Sequence, residues 1–205
     1  MSSSPRSSRY RRAAPHPLLQ LEPLLLFARN FVKHPRMLGS AIPSSRYLIE
    51  RLFASIDFDR AHVLVEYGPG VGPITGALLR RMRADAHLVA LEVNAELSAY
   101  LRSTMRDTRL HVVHASAEQA DHALARLGLA RADYIVSGIP FSTMPASDRG
   151  HVVRATRAVL QPDGAFLVYQ FSRAVLPDLR ATFSDVREEF EPRNIPPARL
   201  FYCAA

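Results

Sequence analysis

The residues with the clearest chemical potential are a glutamate and three alternating glycines, in the sequence Glu-Tyr-Gly-Pro-Gly-Val-Gly at residues 66–72. A β-branched apolar run starting at Val63 precedes them, and a helical pattern follows from about Ile74. Glycine permits positive φ and close approach of the backbone to a ligand, and a helix start presents unpaired N–H groups. The spacing is neither the dinucleotide fingerprint nor the phosphate-binding loop with its lysine. We therefore predict a strand, a tight turn and a helix that bind a nucleoside-bearing cofactor other than ATP.

A second apolar run, at residues 87–91, closes on the acidic residue Glu92. An acid at the end of the second strand can accept hydrogen bonds from both hydroxyls of a ribose. A third motif, Val-Ser-Gly-Ile-Pro-Phe at residues 136–141, predicts a strand and a sharp turn at the carboxyl edge of the sheet. Folds of this kind place their chemistry at that edge. Taken alone, the glycines would also fit a tight turn in any α/β protein.

Together these motifs resemble those of class I S-adenosylmethionine-dependent methyltransferases. The resemblance implies a Rossmann-like α/β fold, with a seven-stranded, mostly parallel sheet, an antiparallel last strand and N-terminal amphipathic helices. It implies S-adenosylmethionine as the cofactor. The expected cofactor contacts are Glu66, Gly68, Gly70, Gly72, Glu92, Ser116, Ala117 and Ser137.

Alternating strand and helix patterns support such a sheet. Predicted strands cover residues 63–67, 88–92, 110–114, 132–137 and 165–171, with a final antiparallel pair at 183–190 and 198–203. Predicted helices run from the glycine loop to residue 82 and over residues 96–105, 121–129 and 148–160, the last stopped by Pro-Asp-Gly at 162–164.

The amino-acid composition limits which disulfides, cellular compartments and metal sites are possible. The chain has 205 residues, 48% of them hydrophobic, and a single cysteine, Cys203. One cysteine excludes an internal disulfide and indicates a reducing compartment. His111 and His114 alternate on a predicted strand without a second cluster of ligands, so we expect no metal.

Positive charge is concentrated near the N-terminus. The net charge of +7 comes from 26 Lys+Arg against 19 Asp+Glu, and Glu22 is the only acid before Glu50. Such a balance favours an anionic partner, either nucleic acid or an acidic membrane surface.

Three regions follow from these patterns. Residues 1–17 are rich in Ser, Arg and Pro and predict a disordered basic tail, with an organelle transit peptide as the alternative. Residues 18–54 predict an amphipathic helical extension that binds membrane or substrate, with a helix packed over its own domain as the alternative. The apolar run at residues 24–27 is too short to span a bilayer. Residues 55–205 form the predicted methyltransferase domain.

Two subfamilies compete for the acceptor. Ribosomal RNA adenine dimethylases resemble the chain in a basic helical N-terminus, a glycine loop and a turn that reads Asn-Leu-Pro-Tyr/Phe in that family. Their asparagine-type side chain grips the exocyclic amine of a flipped base. This chain has Gly138 at that position, and it ends without that family's C-terminal helical RNA-binding domain.

The chain more closely resembles the small bacterial phospholipid N-methyltransferases, from about Leu25 onward. The matching sequences are Gly-Ser-Ala-Ile-Pro-Ser-Ser at 39–45, residues 66–72, Ser-Gly-Ile-Pro at 137–140 and Asn-Ile-Pro-Pro-Ala at 194–198. The resemblance implies N-methylation of phosphatidylethanolamine and its mono- and dimethyl forms toward phosphatidylcholine. RNA adenine methylation is the alternative, and the intact glycine loop and Glu92 argue against a non-catalytic binding module.

Acceptor contacts are assigned as hypotheses. Tyr47 and Phe141, with Tyr169 behind them, are candidates to hold the substrate amine by cation–π attraction, and ordinary packing is the alternative for each. The candidate ligands of the lipid phosphate are Lys33, Arg36, Ser40, Ser44, Ser45 and Arg46, with plain helix capping as the alternative for the serines. We expect a monomer in the cytoplasm, bound peripherally to anionic, phosphatidylethanolamine-containing inner membrane, and do not expect nucleic acid as the partner.

Overall fold

The computed structural model describes residues 44–205. Helices and strands alternate along this part of the chain. They are α1 Arg46–Phe53, β1 Val63–Tyr67, α2 Pro73–Arg81, β2 His87–Glu92, α3 Ala95–Thr104, β3 Leu110–His114, α4 Ala120–Arg126, β4 Ala132–Ser137, α5 Ala146–Val159, β5 Leu160–Gln170, α6 Leu176–Thr182, β6 Asp185–Glu191 and β7 Ala198–Ala204. The predicted basic tail, most of the amphipathic extension, and Lys33, Arg36 and Ser40 lie outside the described residues.

All seven strands form one sheet in the order β3-β2-β1-β4-β5-β7-β6. Strands β1 to β5 pair in parallel, whereas β7 is antiparallel to both of its neighbours, β5 and β6. This arrangement confirms the predicted Rossmann-like fold with its antiparallel last strand. The strand order reverses between β1 and β4, so a ligand crevice is expected at their carboxyl ends.

Hydrophobic side chains bury both faces of the sheet. Leu64 and Leu88 pack on one face with residues of α1 and α2, whereas Val65 and Val89 pack on the other face with residues of α4, α5 and α6. Neighbouring residues of a strand point to opposite faces. The continuous apolar runs of β1 and β2 therefore match strands that are covered on both sides.

Helix α1 packs into the same core as the strands. Leu48, Leu52 and Phe53 are buried, and the Tyr202 hydroxyl of β7 donates to the Arg51 carbonyl at 3.0 Å. The Ser45 hydroxyl caps the helix by accepting a hydrogen bond from the Leu48 N–H at 3.2 Å. The described part of the extension is thus anchored to the sheet.

Two segments differ from the expected pattern. Helix α6 was not predicted, because its buried residues Leu176 and Leu179 form a pattern too short to recognise. Strand β5 begins at Leu160, where a helix end and a turn were expected. Gly164 allows this, since a Cβ there would lie 2.8 Å from the Asp133 carbonyl oxygen of the neighbouring strand.

Candidate active site

Four parallel strands end side by side at one edge of the sheet. Tyr67 of β1 pairs with Leu91 of β2 and with Ser137 of β4, and Ser137 pairs with Val168 of β5. The residues that follow these pairs along the edge are Gly68, Glu92, Gly138 and Tyr169. Motifs far apart in sequence therefore meet at the strand-order reversal.

The glycine loop between β1 and α2 requires glycine for conformation and for space. Gly68, Gly70 and Gly72 have φ angles of 68°, 61° and 88°, in the left-handed region that favours glycine. A Cβ on Gly68 would lie 2.8 Å from Ile139 Cγ2, and one on Gly72 would lie 2.8 Å from Leu101 Cδ2. Larger residues would displace the loop from its neighbours, so the backbone itself forms the wall of the crevice.

Glu92, at the end of β2, contacts the glycine loop. Its carboxylate is buried and accepts hydrogen bonds from the Gly70 N–H at 3.1 Å and the Asn94 N–H at 2.9 Å. Burial raises the pKa of Glu92, and the backbone donors oppose that rise. A ribose bound here would meet a carboxylate whose orientation is already set by the loop.

Glu66 connects β1 to the first turn of α2, on the two sides of the glycine loop. The Thr75 hydroxyl, in the first turn of α2, donates to its carboxyl group at 2.7 Å. Burial raises the pKa of Glu66 to about 8, while the Thr75 bond opposes the rise and the charge of Glu92 adds to it. A cation placed beside Glu66 would favour its ionised form, so the residue suits the positively charged amino-acid end of the cofactor.

Ser137, at the end of β4, has an unused hydroxyl. The residue is 0% exposed, and its Oγ is one of two buried side-chain oxygens in residues 44–205 without a hydrogen-bond partner, the other being on Ser98. An unpaired buried hydroxyl costs about 1–3 kcal/mol. A bound ligand would supply the missing partner, and the glycine cradle, Glu92 and Ser137 together fit S-adenosylmethionine.

Ser116 and Ala117 lie at the same edge, beyond Glu92. The Ala115 N–H donates to the Glu92 carbonyl at 3.2 Å, which places the segment after β3 beside the end of β2. The Ser116 hydroxyl accepts from the Glu118 N–H at 3.3 Å and caps the short 3₁₀ turn Ala117–Gln119. Their predicted contact with the adenine ring stays a prediction.

The two aromatic residues predicted to hold the amine are not brought together. Phe141 is 0% exposed and packs in the hydrophobic core. Tyr47 is half-buried at the start of α1, with the guanidinium of Arg193 4.1 Å and that of Arg46 4.7 Å from its ring centroid. Phe141 is thus occupied by core packing and Tyr47 by two guanidiniums, and their role as amine contacts stays a prediction.

The segment before α1 contacts the turn between β6 and β7. The Ser45 N–H donates to Asn194 Oδ1 at 2.9 Å, and Asn194 Nδ2 donates to the Pro196 carbonyl at 2.7 Å. Ser44 also lies close enough to the Tyr169 hydroxyl to lower the pKa of that group by hydrogen bonding. Two of the motifs shared with phospholipid methyltransferases thus meet at one point.

Arg193 was missed by the sequence reasoning. It stacks on Tyr47, and its Nε donates at 2.9 Å to the fully buried carboxylate of Glu191, which also lies 3.2 Å from Arg51 Nε. The Arg193 guanidinium is the main cause of the lowered pKa of Glu191. The only available signal was its position immediately before the Asn-Ile-Pro-Pro-Ala motif.

Known proteins share this arrangement to different extents. A family model described as a methyltransferase domain matches residues 64–164. Ornithine lipid N-methyltransferase from Singulisphaera acidiphila is 30% identical over 185 residues, which cover 89% of this chain and 96% of that protein. Ribosomal RNA small subunit methyltransferase A from Opitutus terrae is 32% identical over 110 residues, which cover 52% of this chain and 39% of that protein. The structure of N-methyltransferase NodS from Bradyrhizobium japonicum with S-adenosyl-L-homocysteine has a TM-score of 0.61 at 14% identity, covering 76% of this chain and 83% of that chain.

The chain belongs to the class I S-adenosylmethionine-dependent methyltransferases. Its cofactor is S-adenosylmethionine, as the resemblance to this class implied. The similarity to the lipid N-methyltransferase runs nearly end to end, whereas the similarity to the RNA enzyme stops well short of that enzyme's full length.

Proposed function

We propose that the protein methylates the amine of a membrane lipid head group, and that phosphatidylethanolamine and its mono- and dimethyl forms are the acceptors on the way to phosphatidylcholine. The observation that carries this proposal is the hydrogen bond between Ser45 and Asn194. It joins Ser45, the last residue of the Gly-Ser-Ala-Ile-Pro-Ser-Ser sequence, to Asn194, the first residue of the Asn-Ile-Pro-Pro-Ala sequence, and both sequences resemble those of the phospholipid N-methyltransferases. The end-to-end similarity to a lipid N-methyltransferase supports the same acceptor class.

Positive charge beside this contact suits an anionic head group. The guanidiniums of Arg46 and Arg193 both lie over the Tyr47 ring, next to the N-terminal end of α1. Arg46 is exposed and its Nη2 donates to the Tyr47 hydroxyl at 2.7 Å. Arginine pairs readily with phosphate oxygens, so we assign the lipid phosphate to Arg46 and Arg193 together with the nearby Ser44.

The residues of the crevice align the acceptor nitrogen with the methyl group of the cofactor. S-adenosylmethionine, when bound, supplies a methyl group that the acceptor nitrogen takes with cleavage of the carbon–sulfur bond and release of S-adenosylhomocysteine. Glu92 and the glycine backbone hold the cofactor, and Glu66 keeps the loop in place. The acceptor ammonium loses a proton to water before attack, so that its lone pair can face the methyl carbon. Holding the two reactants in line and excluding water provides most of the rate enhancement.

Membrane recruitment is assigned to the basic N-terminal extension. Arginines and lysine in this segment would face lipid phosphates from the water side, and its leucines would enter the acyl boundary. Within residues 44–205, no helix is long and apolar enough to cross a membrane. We propose a monomer bound reversibly to the inner face of the cytoplasmic membrane.

A second candidate acceptor is an ornithine lipid, favoured by the similarity to ornithine lipid N-methyltransferase. Such a lipid offers a primary amine with a carboxylate in place of the phosphate. Arg46 and Arg193 could pair with either anion, because guanidinium geometry matches both. The two lipids therefore have to be compared directly.

Transfer of labelled methyl from S-adenosylmethionine tests the proposal. The full-length protein is offered vesicles of phosphatidylethanolamine with anionic lipid, vesicles of ornithine lipid with anionic lipid, and undermethylated ribosomal RNA. Glu92→Ala, which removes the predicted ribose contact, serves as the control with weakened cofactor binding and is assayed at a limiting concentration of S-adenosylmethionine. We expect label in mono-, di- or trimethylated phosphatidylethanolamine. Label in ornithine lipid alone would transfer the assignment to the second candidate, and label in RNA alone or in no acceptor would contradict lipid methylation.

A further inference from the structure

Gly138, in the turn after β4, has no side chain. The phenol of Tyr169 occupies the space where a Cβ of residue 138 would lie. A Cβ on Gly138 would lie 2.1 Å from Tyr169 Oη and 2.6 Å from Tyr169 Cζ. Gly138 does not have a positive φ, so its backbone does not require glycine. Glycine is therefore needed here for room, and the group that uses the room is a phenol.

The Tyr169 phenol lies at the carboxyl edge of the sheet, beside the predicted cofactor site. Ser137, with its unpaired buried hydroxyl, pairs with Val168, so Gly138 and Tyr169 are the next residues along their strands. Ser44 hydrogen-bonds the Tyr169 side chain, and Glu66 is close enough to perturb it electrostatically. Tyr169 as a whole is half-buried, and its hydroxyl lies in the space left by Gly138.

The hydroxyl keeps its proton under ordinary conditions. Burial raises the pKa of Tyr169 to about 12, the Ser44 bond opposes the rise, and Glu66 adds to it. A neutral phenol carries one O–H donor and an oxygen with two lone pairs, so it can accept from an amine N–H in addition to the Ser44 hydrogen bond. It can therefore orient an amine without removing a proton from it.

We propose that the Tyr169 hydroxyl accepts an N–H of the acceptor amine and aims the nitrogen lone pair at the methyl group of the cofactor. This inference rests on the proposed function, because it takes the acceptor to be a lipid amine. Gly138 provides the space for the phenol. Ser44, which precedes α1, holds the phenol in that space. Tyr169 is thus a catalytic residue by position, while Gly138 and Ser44 are positioning residues.

Tyr169→Phe tests the inference, with Tyr134→Phe as the matched control. Tyr134 lies near the start of β4, and its hydroxyl accepts a hydrogen bond from the Asp57 N–H at 3.2 Å. For each protein, kcat and KM are measured on phosphatidylethanolamine vesicles and on ornithine lipid vesicles, and the Kd of S-adenosylhomocysteine is measured in solution. We expect kcat of Tyr169→Phe to fall by about 10- to 100-fold, the loss typical of one strong hydrogen bond in the reacting geometry. The Kd of S-adenosylhomocysteine and the shape of the pH–rate profile should match the wild type, and Tyr134→Phe should keep wild-type kcat.

Each other outcome has a definite meaning. An active wild type with an equally active Tyr169→Phe would overturn this inference and leave lipid methylation standing. A parallel loss of cofactor affinity and kcat would reduce Tyr169 to a structural residue. A changed pH–rate profile would make Tyr169 a proton acceptor instead of a hydrogen-bonding partner. A wild type that methylates neither lipid would overturn the proposed function and this inference with it.

Discussion

Asn194 Oδ1 accepts a hydrogen bond from the Ser45 N–H at 2.9 Å, across 149 residues of sequence. Asn194 is 3% exposed, and its Nδ2 is used as well, by the Pro196 carbonyl. The amide therefore fixes both the start of α1 and the turn between β6 and β7. Because Ser44, next to Ser45, lies close to the Tyr169 hydroxyl, this bond connects the start of α1 to the carboxyl edge of the sheet.

Asn194→Ala is expected to separate acceptor binding from cofactor binding. The change leaves a part-buried backbone donor without its partner and should lower the free energy of unfolding by about 1–3 kcal/mol. Lipid methylation should fall by more than the affinity for S-adenosylhomocysteine, since the cofactor contacts are on the other loops. Denaturant titration, vesicle assays and calorimetry measure the three quantities. Equal losses of lipid turnover and cofactor affinity would contradict a local role at the acceptor segment.

Glu92→Ala is expected to weaken S-adenosylhomocysteine binding by about 10- to 100-fold, the value of a lost hydrogen bond to a charged group. The carboxylate also holds the Gly70 N–H, so the loop would lose part of its orientation. Glu118→Ala, an exposed carboxylate at the same edge of the sheet, is the matched control and should bind normally. Calorimetric titration of both variants decides the point, and normal affinity in Glu92→Ala would refute the ribose assignment.

The free energy of unfolding of the cofactor-free protein should fall as pH rises from about 4.5 to about 8. In this range Glu66 is protonated in the folded protein and ionised in the unfolded chain. The pKa of Glu66 is raised by burial from 4.5 to about 8, so the folded state keeps a proton that the unfolded chain has released. Between these values the free energy of unfolding should drop by about 1.4 kcal/mol per pH unit from this group alone.

Glu66→Gln keeps an oxygen for the Thr75 hydroxyl and removes this titration. Urea unfolding at pH 5.5, 6.5 and 7.5 should show a flatter dependence and greater stability of the variant at the highest pH. The same variant should bind S-adenosylmethionine more weakly, because a neutral amide does not favour a nearby cation. A pH dependence as steep as that of the wild type would show that Glu66 is ionised in the folded protein.

Gly138→Ala is expected to impair methyl transfer while sparing the cofactor site. The added Cβ would lie 2.1 Å from Tyr169 Oη and must push the phenol aside. We expect kcat on lipid vesicles to fall at least as far as in Tyr169→Phe, by about 10- to 100-fold, and the double variant to be no slower than Gly138→Ala. Gly76→Ala is the control, since its Cβ would meet only the flexible ends of Met105 and Arg80. Independent, additive effects would argue that Gly138 and Tyr169 do not act through one geometry.

Arg46→Ala is expected to raise KM for anionic lipid vesicles by about 3- to 10-fold with little change in kcat, because its proposed contact is with the head-group anion and away from the reacting atoms. Arg126→Ala, an exposed arginine on α4, is the control for general loss of positive charge. Vesicle kinetics at several salt concentrations measure the effect. Equal KM changes in the two variants would indicate a diffuse electrostatic attraction rather than a site.

Local patterns were sufficient for the cofactor half of the protein. The glycine loop and Glu92 each follow an apolar strand directly, so their chemistry could be placed from short stretches of sequence. Strands β1, β3 and β4 have the predicted bounds, because each contains a short run of β-branched or aromatic residues that favours a strand. Helix α6 and the early start of β5 escaped prediction because each depends on packing against distant segments.

Short spacings in the sequence were enough to predict the fold class and a site for a nucleoside-bearing cofactor, because the glycine loop and Glu92 each lie at the end of an apolar run, and the family resemblance of these motifs implied S-adenosylmethionine. The tertiary structure alone decided how the acceptor side is assembled. It buried Phe141 in the core, stacked Arg193 on Tyr47, and brought Tyr169 into the space left by Gly138. The physical reason is that this side is built where several strands and α1 converge, and only the pairing register and packing of the sheet determine which distant side chains share that space.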